Sequence, residues 1–372
     1  MAVNIIESML REKDMPSMKG SIVCRPVRSA MLAALLVATP LASAVAAQAS
    51  QDVVATARAQ AVQAWHDNIN RQAPPADGCF RATYPSAVWT AERCGPVPSF
   101  RSVQPADAVS PASSRSTVSA RTESSVFNAG NGYDYAARTG QLTRSATGSF
   151  PTVTGVSSGS DDYSLQINTN MGSNTSACQR YGYSSCQVWE QFIYSTDPGT
   201  GSPGAFIQNW FYVSDASAYR RTGCPSGWNA YSAQLACYRN SNLVSVDYVP
   251  ITSIGSIKLA GSASVNGNDT VTFTVNGVAH SVSQSGSTLA IGSVWKNSEF
   301  NIFGNGSNDP VASFNSGSSV SVKVAVNDGT TNAPTCVGPN NGGTTGEENN
   351  LTLGRCTASG GSTPSIQFAQ SN

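Results

Sequence analysis

From Val126 to Asn372 no stretch carries apolar residues at helical spacing over a normal helix length; short alternating runs stand in its place. In "DYSLQINTN" Leu165 and Ile167 alternate with Gln166 and Asn168, and in "SVSVKVAVND" four valines from 320 to 326 alternate with Ser321, Lys323 and Ala325. Period two sends successive side chains to opposite faces of a strand, so both segments are expected to be half-exposed strands. "VTFTVNGVAHSV" reads as a hairpin, because Asn276-Gly277 carries the signature of a type I′ turn. "GAFIQNWFYVSD" and "CQVWEQFIYS" are apolar on both faces, as strands buried within a sheet would be. Such strands bury their faces by stacking sheet on sheet. The expected fold is all-β, an antiparallel β-sandwich or jelly roll of roughly ten to fourteen strands. No strict internal repeat is visible, which argues against a propeller or solenoid.

The chain ahead of this block divides into three. Lys19, Arg25 and Arg28 precede the apolar run "AMLAALLVATPLASA", and small residues at Ala42, Ala44, Ala46 and Ala47 offer cleavage points, so residues 1–47 read as a secretory signal peptide. The run is short of a transmembrane helix, and no later stretch approaches about 18 consecutive apolar residues. Residues 48–98 hold an Ala-rich amphipathic helix over Gln51–Gln72, stopped by "APPADGCF", and a small disulfide-closed knot, "GCFRATYPSAVWTAERC". Residues 99–125 are Ser/Pro/Ala-rich without periodicity and read as a linker, followed by the sandwich at 126–372. The expected location is outside the cell or in the periplasm, the expected state a monomer.

Nine cysteines fit export. Without Cys24 in the leader, eight remain as close neighbours in sequence: Cys79/Cys94, Cys178/Cys186, Cys224/Cys237 and Cys336/Cys356. Close spacing favours four local bridges in that pairing. No pair has C-x-x-C spacing, and an oxidising compartment favours bridges over thiolate ligands, so neither a metal nor a cofactor is expected.

Charge is sparse and balanced, with 22 basic against 22 acidic residues. No basic stripe exists to follow a phosphate backbone, which argues against nucleic acid as a partner. Only His66 and His280 occur. His66 falls in the N-terminal helix, His280 faces Phe273 across the hairpin, and no G-x-S-x-G elbow accompanies either, which disfavours a histidine-dependent hydrolase.

Carboxylate chemistry remains. From Phe127 onward the glutamates are Glu190, Glu299, Glu347 and Glu348. Glu190 and Gln191 sit side by side in an apolar strand and so point to opposite faces. Glu299, in "WKNSEFNIFGNG", shares a face with Asn301 and Phe303, whereas Glu347 and Glu348, in "NNGGTTGEENNL", read as loop residues. A carboxyl among apolar side chains tends to a raised pKa, which suits a general acid or base.

"WEQFIYS" and "SEFNIFG" resemble the two catalytic segments of the glutamic peptidases, the eqolisins and the more distant neprosin-type enzymes. "AFIQNWFYVSDASAYRRTGC" is similar to the neprosin segment in which a Trp-containing strand leads into Thr-Gly-Cys. The resemblance spans roughly residues 163–303 and implies a double antiparallel sheet of concanavalin-like shape and an exported acid endopeptidase acting on protein or peptide. It assigns the catalytic glutamine to Gln191 and the catalytic glutamate to Glu299; Trp189, Trp210 and Tyr212 are the expected substrate-binding aromatics. Eqolisins carry a second Glu after the aromatic, where this chain has Asn301, Ile302 and Phe303; neprosin-type enzymes have Glu in the first segment, which would make Glu190 the site residue. The alternative function is a non-catalytic sandwich that binds a glycan or wall polymer on Trp189, Trp210, Tyr212 and Trp228. If catalysis is the role, Gln191 and Glu299 must converge in one cleft, and the segment from Gln51 to about Arg121 is expected to pack over it through Trp65 or Phe80 as a pro-region.

Overall fold

The computed structural model describes residues 40–104, 127–340 and 345–372, with backbone alone for 40–50 and 175. Most of the expected signal peptide, and the linker from 105 on, lie outside the described residues. The chain divides into two units after Ala55, and the described part of the first is helix only. No helix among the described residues is long and apolar enough to cross a membrane.

Among the described residues two sheets make the fold, one of 11 strands and one of 10. Among the described residues strand pairs are antiparallel except Val311–Ala312 against Glu348 and Asn349. In the smaller sheet the path runs Asn229–Tyr231, Ala236–Asn240, Gly204–Tyr212, Gln187–Ser195, Ser164–Thr169, Asn297–Phe303, Ala136–Arg138, Thr335–Val337. The expected all-β sandwich is present, cut into more strands than the alternation suggested, because bulges and short edge strands break the runs.

Aromatic side chains fill the space between the sheets. The rings of Tyr194 and Phe273 stack at 4.2 Å, and Phe150 meets Phe300 at 5.2 Å. Two glycines admit this packing: a Cβ on Gly148 would lie 2.1 Å from the Phe300 ring, and one on Gly261 would lie 2.3 Å from Phe192. Any side chain there would push the sheets apart. The Asn276-Gly277 turn has φ of 48° and 76°, as a type I′ turn requires. Val320, Val322, Val324 and Val326 are buried and alternate with half-buried residues.

All four bridges form in the expected pairs. Cys336–Cys356 joins a strand of one sheet to a strand of the other, so a local loop in sequence staples the sandwich.

The N-terminal region departs from expectation. The helix runs Pro40–Ile69, beginning inside the segment read as signal peptide. Strand Gly78–Thr83, grouped with a separate knot, pairs with Val278–Ser285 and extends the larger sheet, because its own alternation supplies a face to bury. Trp65 and Ile69 pack with Ala82 and Ala279 there, and Trp65 Nε1 donates to the Ser86 carbonyl at 2.8 Å. His280 lies opposite Phe273 as its hairpin register implied, and its Nδ1 is 3.1 Å from Glu92 Oε1.

Candidate active site

Gln191 lies on strand Gln187–Ser195, whose two faces have opposite fates. Phe192 and Tyr194 enter the space between the sheets. Glu190, of the same parity, is coupled there to Asp269 of the larger sheet. Trp189, Gln191 and Ile193 point the other way, onto the outer face of the smaller sheet. Register then carries this face across five strands: Asn240 opposes Gln208, Gln208 opposes Gln191, Gln191 opposes Asn168, and Asn168 opposes Glu299. Residues in register share a face. The result is a transverse row of four amides ending in one carboxyl.

Hydrogen bonds knit the row. Gln191 Nε2 donates to Asn168 Oδ1 and to Gln166 Oε1, both at 2.9 Å, and its Oε1 accepts from Trp210 Nε1 at 3.1 Å. Asn168 Nδ2 donates to Glu299 Oε2 at 2.7 Å. One asparagine therefore holds Gln191 with its oxygen and Glu299 with its nitrogen. Gln191 is fully buried and Glu299 is 1% exposed. Glu190, the alternative site residue, is on the opposite face of its strand from this row.

Two further carboxyls border it. Asp134 Oδ2 accepts from Asn301 Nδ2 at 2.9 Å. Burial first, and the charge of Glu299 second, push Asp134 well above the usual carboxylate range. Two neighbouring buried carboxyls cannot both ionise cheaply. On the other side Glu347 Oε1 accepts from Gln166 Nε2 at 3.3 Å, Oε2 accepts from Thr345 Oγ1, and burial raises its pKa to about 7. Glu347 is a loop residue as read, yet it is fully buried against the row. Among the described residues no cluster of His, Cys, Asp or Glu could hold a metal ion.

The aromatic residues assigned to substrate do not present open platforms. Trp189 and Trp210 have no exposed surface and Tyr212 is 5% exposed. Trp210 instead braces Gln191 and also donates to Gln208 Oε1 at 2.8 Å. Trp228 packs against Phe211 and Tyr181.

What covers the face is the start of the segment read as linker. Pro98, Phe100, Ser102 and Gln104 are buried and alternate with exposed or half-buried Ser99, Arg101 and Val103. Asn240 Nδ2 donates to the carbonyls of Pro98 and Phe100 at 2.9 and 2.8 Å, Gln208 Nε2 to that of Phe100 at 2.9 Å, and Ser102 N to Gln208 Oε1 at 3.1 Å. Phe100, neither Trp65 nor Phe80, is the apolar residue over the site. A groove of about 570 Å³ lies elsewhere, between Asn70, Pro74, Ala263 and Asn268. The candidate site is not an open cavity because the chain's own segment fills it.

Similar solved structures are glutamic peptidases. A scytalido-glutamic peptidase bound to a transition state analog inhibitor is 16% identical, with 66% of this chain and 99% of that chain covered and a TM-score of 0.28. SCP-B, a member of the eqolisin family in complex with the tripeptide Ala-Ile-His, is 15% identical over 66% of this chain and 98% of its own, at a TM-score of 0.26. No protein-family profile and no curated protein matches the chain. The functional reading below rests on the row itself.

Of this cluster, sequence reasoning singled out Gln191 and Glu299 and passed over Gln166, Asn168, Asp134, Gln208 and Asn240. Gln166 and Asn168 alternate with apolar residues, and such polar positions were read as solvent-facing; the structure buries all six residues of that strand. A usable signal existed in "AFIQNWFY", where Gln208 interrupts a run that is apolar on both faces.

Proposed function

We propose that the chain is an exported acid endopeptidase of glutamic type, in which Glu299 activates water and the Gln191 amide stabilises the oxyanion. The observation that carries this reading is the Asn168 side chain, bonded at once to Gln191 and Glu299 on one face. A water beside Glu299 would lose its proton to the carboxylate as its oxygen attacks the peptide carbonyl carbon. The negative charge that develops on the carbonyl oxygen is met by an N–H of Gln191. Glu299 then returns the proton to the leaving amine. Trp210 and Asn168 fix the amide plane beforehand, which spares reorganisation during the reaction. Both N–H groups of Gln191 are engaged by Gln166 and Asn168, so one of these acceptors yields to substrate.

Acidic operation follows from the surrounding carboxyls. Asp134 and Glu347, which border the row, both have raised pKa values with burial as the leading cause. At acidic pH they are neutral and the sheet face is free of stacked negative charge. Export fits the four disulfides.

The test is cleavage of an unfolded protein substrate by the purified full chain across acidic pH, compared with Glu299→Gln. The variant should lose roughly a hundredfold or more while circular dichroism is unchanged. Undiminished cleavage by Glu299→Gln would overturn the assignment.

A further inference from the structure

Pro98–Gln104 belongs to neither sheet, yet it lies extended on the outer face of the smaller one with every second side chain buried. Its main chain is held by side chains and isolated loop amides instead of a strand ladder. Asn240 and Gln208 grip the carbonyls of Pro98 and Phe100. Ser307 N donates to the Arg101 carbonyl at 3.1 Å and Gly346 N to the Val103 carbonyl at 2.9 Å. Groups that bond peptide N–H and C=O recognise any extended sequence; side-chain pockets add the selectivity. One such pocket is present. Phe100 sits among Ile193, Phe206 and Leu243, all fully buried, with the Phe206 ring at 5.4 Å.

We propose that this groove is the track on which an extended peptide substrate binds, with a bulky aromatic side chain seated among Ile193, Phe206 and Leu243, and that Pro98–Gln104 occupies it in the substrate's place. The inference rests on the peptidase reading and names its substrate class. Asn240 and Gln208, which hold the segment's backbone, are the first two members of the row that continues into Gln191, Asn168 and Glu299. A peptide held by the first two is delivered beside the last three. The resident fits imperfectly: Ser102 Oγ and Gln104 Nε2 are buried without hydrogen-bond partners. Unpaired buried polar atoms weaken its hold relative to a sequence that satisfies or lacks them. Its advantage is tethering, since Cys94 is bridged to Cys79 four residues upstream of Pro98. A tethered segment acts at high effective concentration, and a free peptide must outcompete it.

The experiment uses the full chain and a fluorescein-labelled heptapeptide of sequence Pro-Ser-Phe-Arg-Ser-Val-Gln, followed by fluorescence polarisation at acidic pH, with cleavage monitored in parallel. Phe100→Ala empties the pocket and loosens the resident segment, so the peptide should bind about tenfold tighter or more than to the wild type. The same peptide with Ala for Phe should lose that gain. Should Phe100→Ala fail to fold, Arg101→Ala removes the contact of its guanidinium with the Tyr231 ring at 4.6 Å, on the half-buried side of the segment, and should shift affinity in the same direction. Equal affinity of wild type and folded variant, or no preference for Phe over Ala, overturns the groove. Selective binding with no cleavage by either protein keeps the groove and removes the peptidase reading.

Discussion

Glu190 and Asp269 meet between the two sheets, one contributed by each, and both are fully buried. The two carboxyls hydrogen-bond to each other, which requires a proton on one of them. Burial pushes Glu190 well above the usual range, with the charge of Asp269 adding to it, and burial raises Asp269 to about 7. In an unfolded chain both titrate near 4. Between those values the folded protein holds more protons than the unfolded one, so stability falls as pH rises. It is fully present below about pH 4 and lost as pH climbs through about 7. Taking Asp269 alone, a rise from 3.8 to about 7 corresponds to a loss on the order of 4 kcal/mol. That is a large part of the ~5–15 kcal/mol that holds a domain together. Glu347 titrates with the same sign, whereas His66, lowered to about 4 with burial as the leading cause, opposes it, as do Asp215 and Asp328, whose pKa values are lowered. The assay is urea unfolding of the full chain at several pH values, beside Asp269→Asn, whose oxygen can still accept from Ser264 N as Asp269 Oδ1 does. The wild type should unfold at markedly lower urea near neutrality, and the variant should show a shallower decline and be the more stable protein there. Wild-type stability that is level or rising from about pH 4 to about pH 7 would refute the reasoning, as would an unchanged slope in Asp269→Asn.

Three further outcomes are expected. Asn168→Ala removes the bridge between Gln191 and Glu299, and kcat for peptide cleavage should fall about tenfold to a hundredfold with KM little changed, since the loss is of orientation and not of substrate contact; steady-state kinetics beside a thermal melt checks this. Gly261→Ala drives a methyl into the Phe192 ring, 2.3 Å from the new Cβ, and should cost about 1–3 kcal/mol in urea unfolding, more if the sheets cannot separate. Non-reducing peptide mapping should return Cys79–Cys94, Cys178–Cys186, Cys224–Cys237 and Cys336–Cys356 with no crossed pair.

The sandwich was legible because its cause is local: period-two alternation at Val320–Val326 and the Asn276-Gly277 turn dictate strand and hairpin within a few residues. The disulfides were legible for the same reason, each joining near neighbours in sequence. Gln191 and Glu299 stood out as polar residues inside apolar strands, and parity alone put Glu190 on the face opposite Gln191. What parity could not say is which face meets the other sheet, since "CQVWEQFIYS" is apolar on both. Nor could it bring Asn240, Gln208, Gln191, Asn168 and Glu299 into one row, because that depends on the order and register of five strands scattered along the chain. The aperiodic stretch after Cys94 was the hardest to read. It has no pattern of its own partner strand to reveal, and its extended form over Gln208 and Asn240 is imposed by side chains more than 100 residues away, whose amides need a backbone to bond once buried.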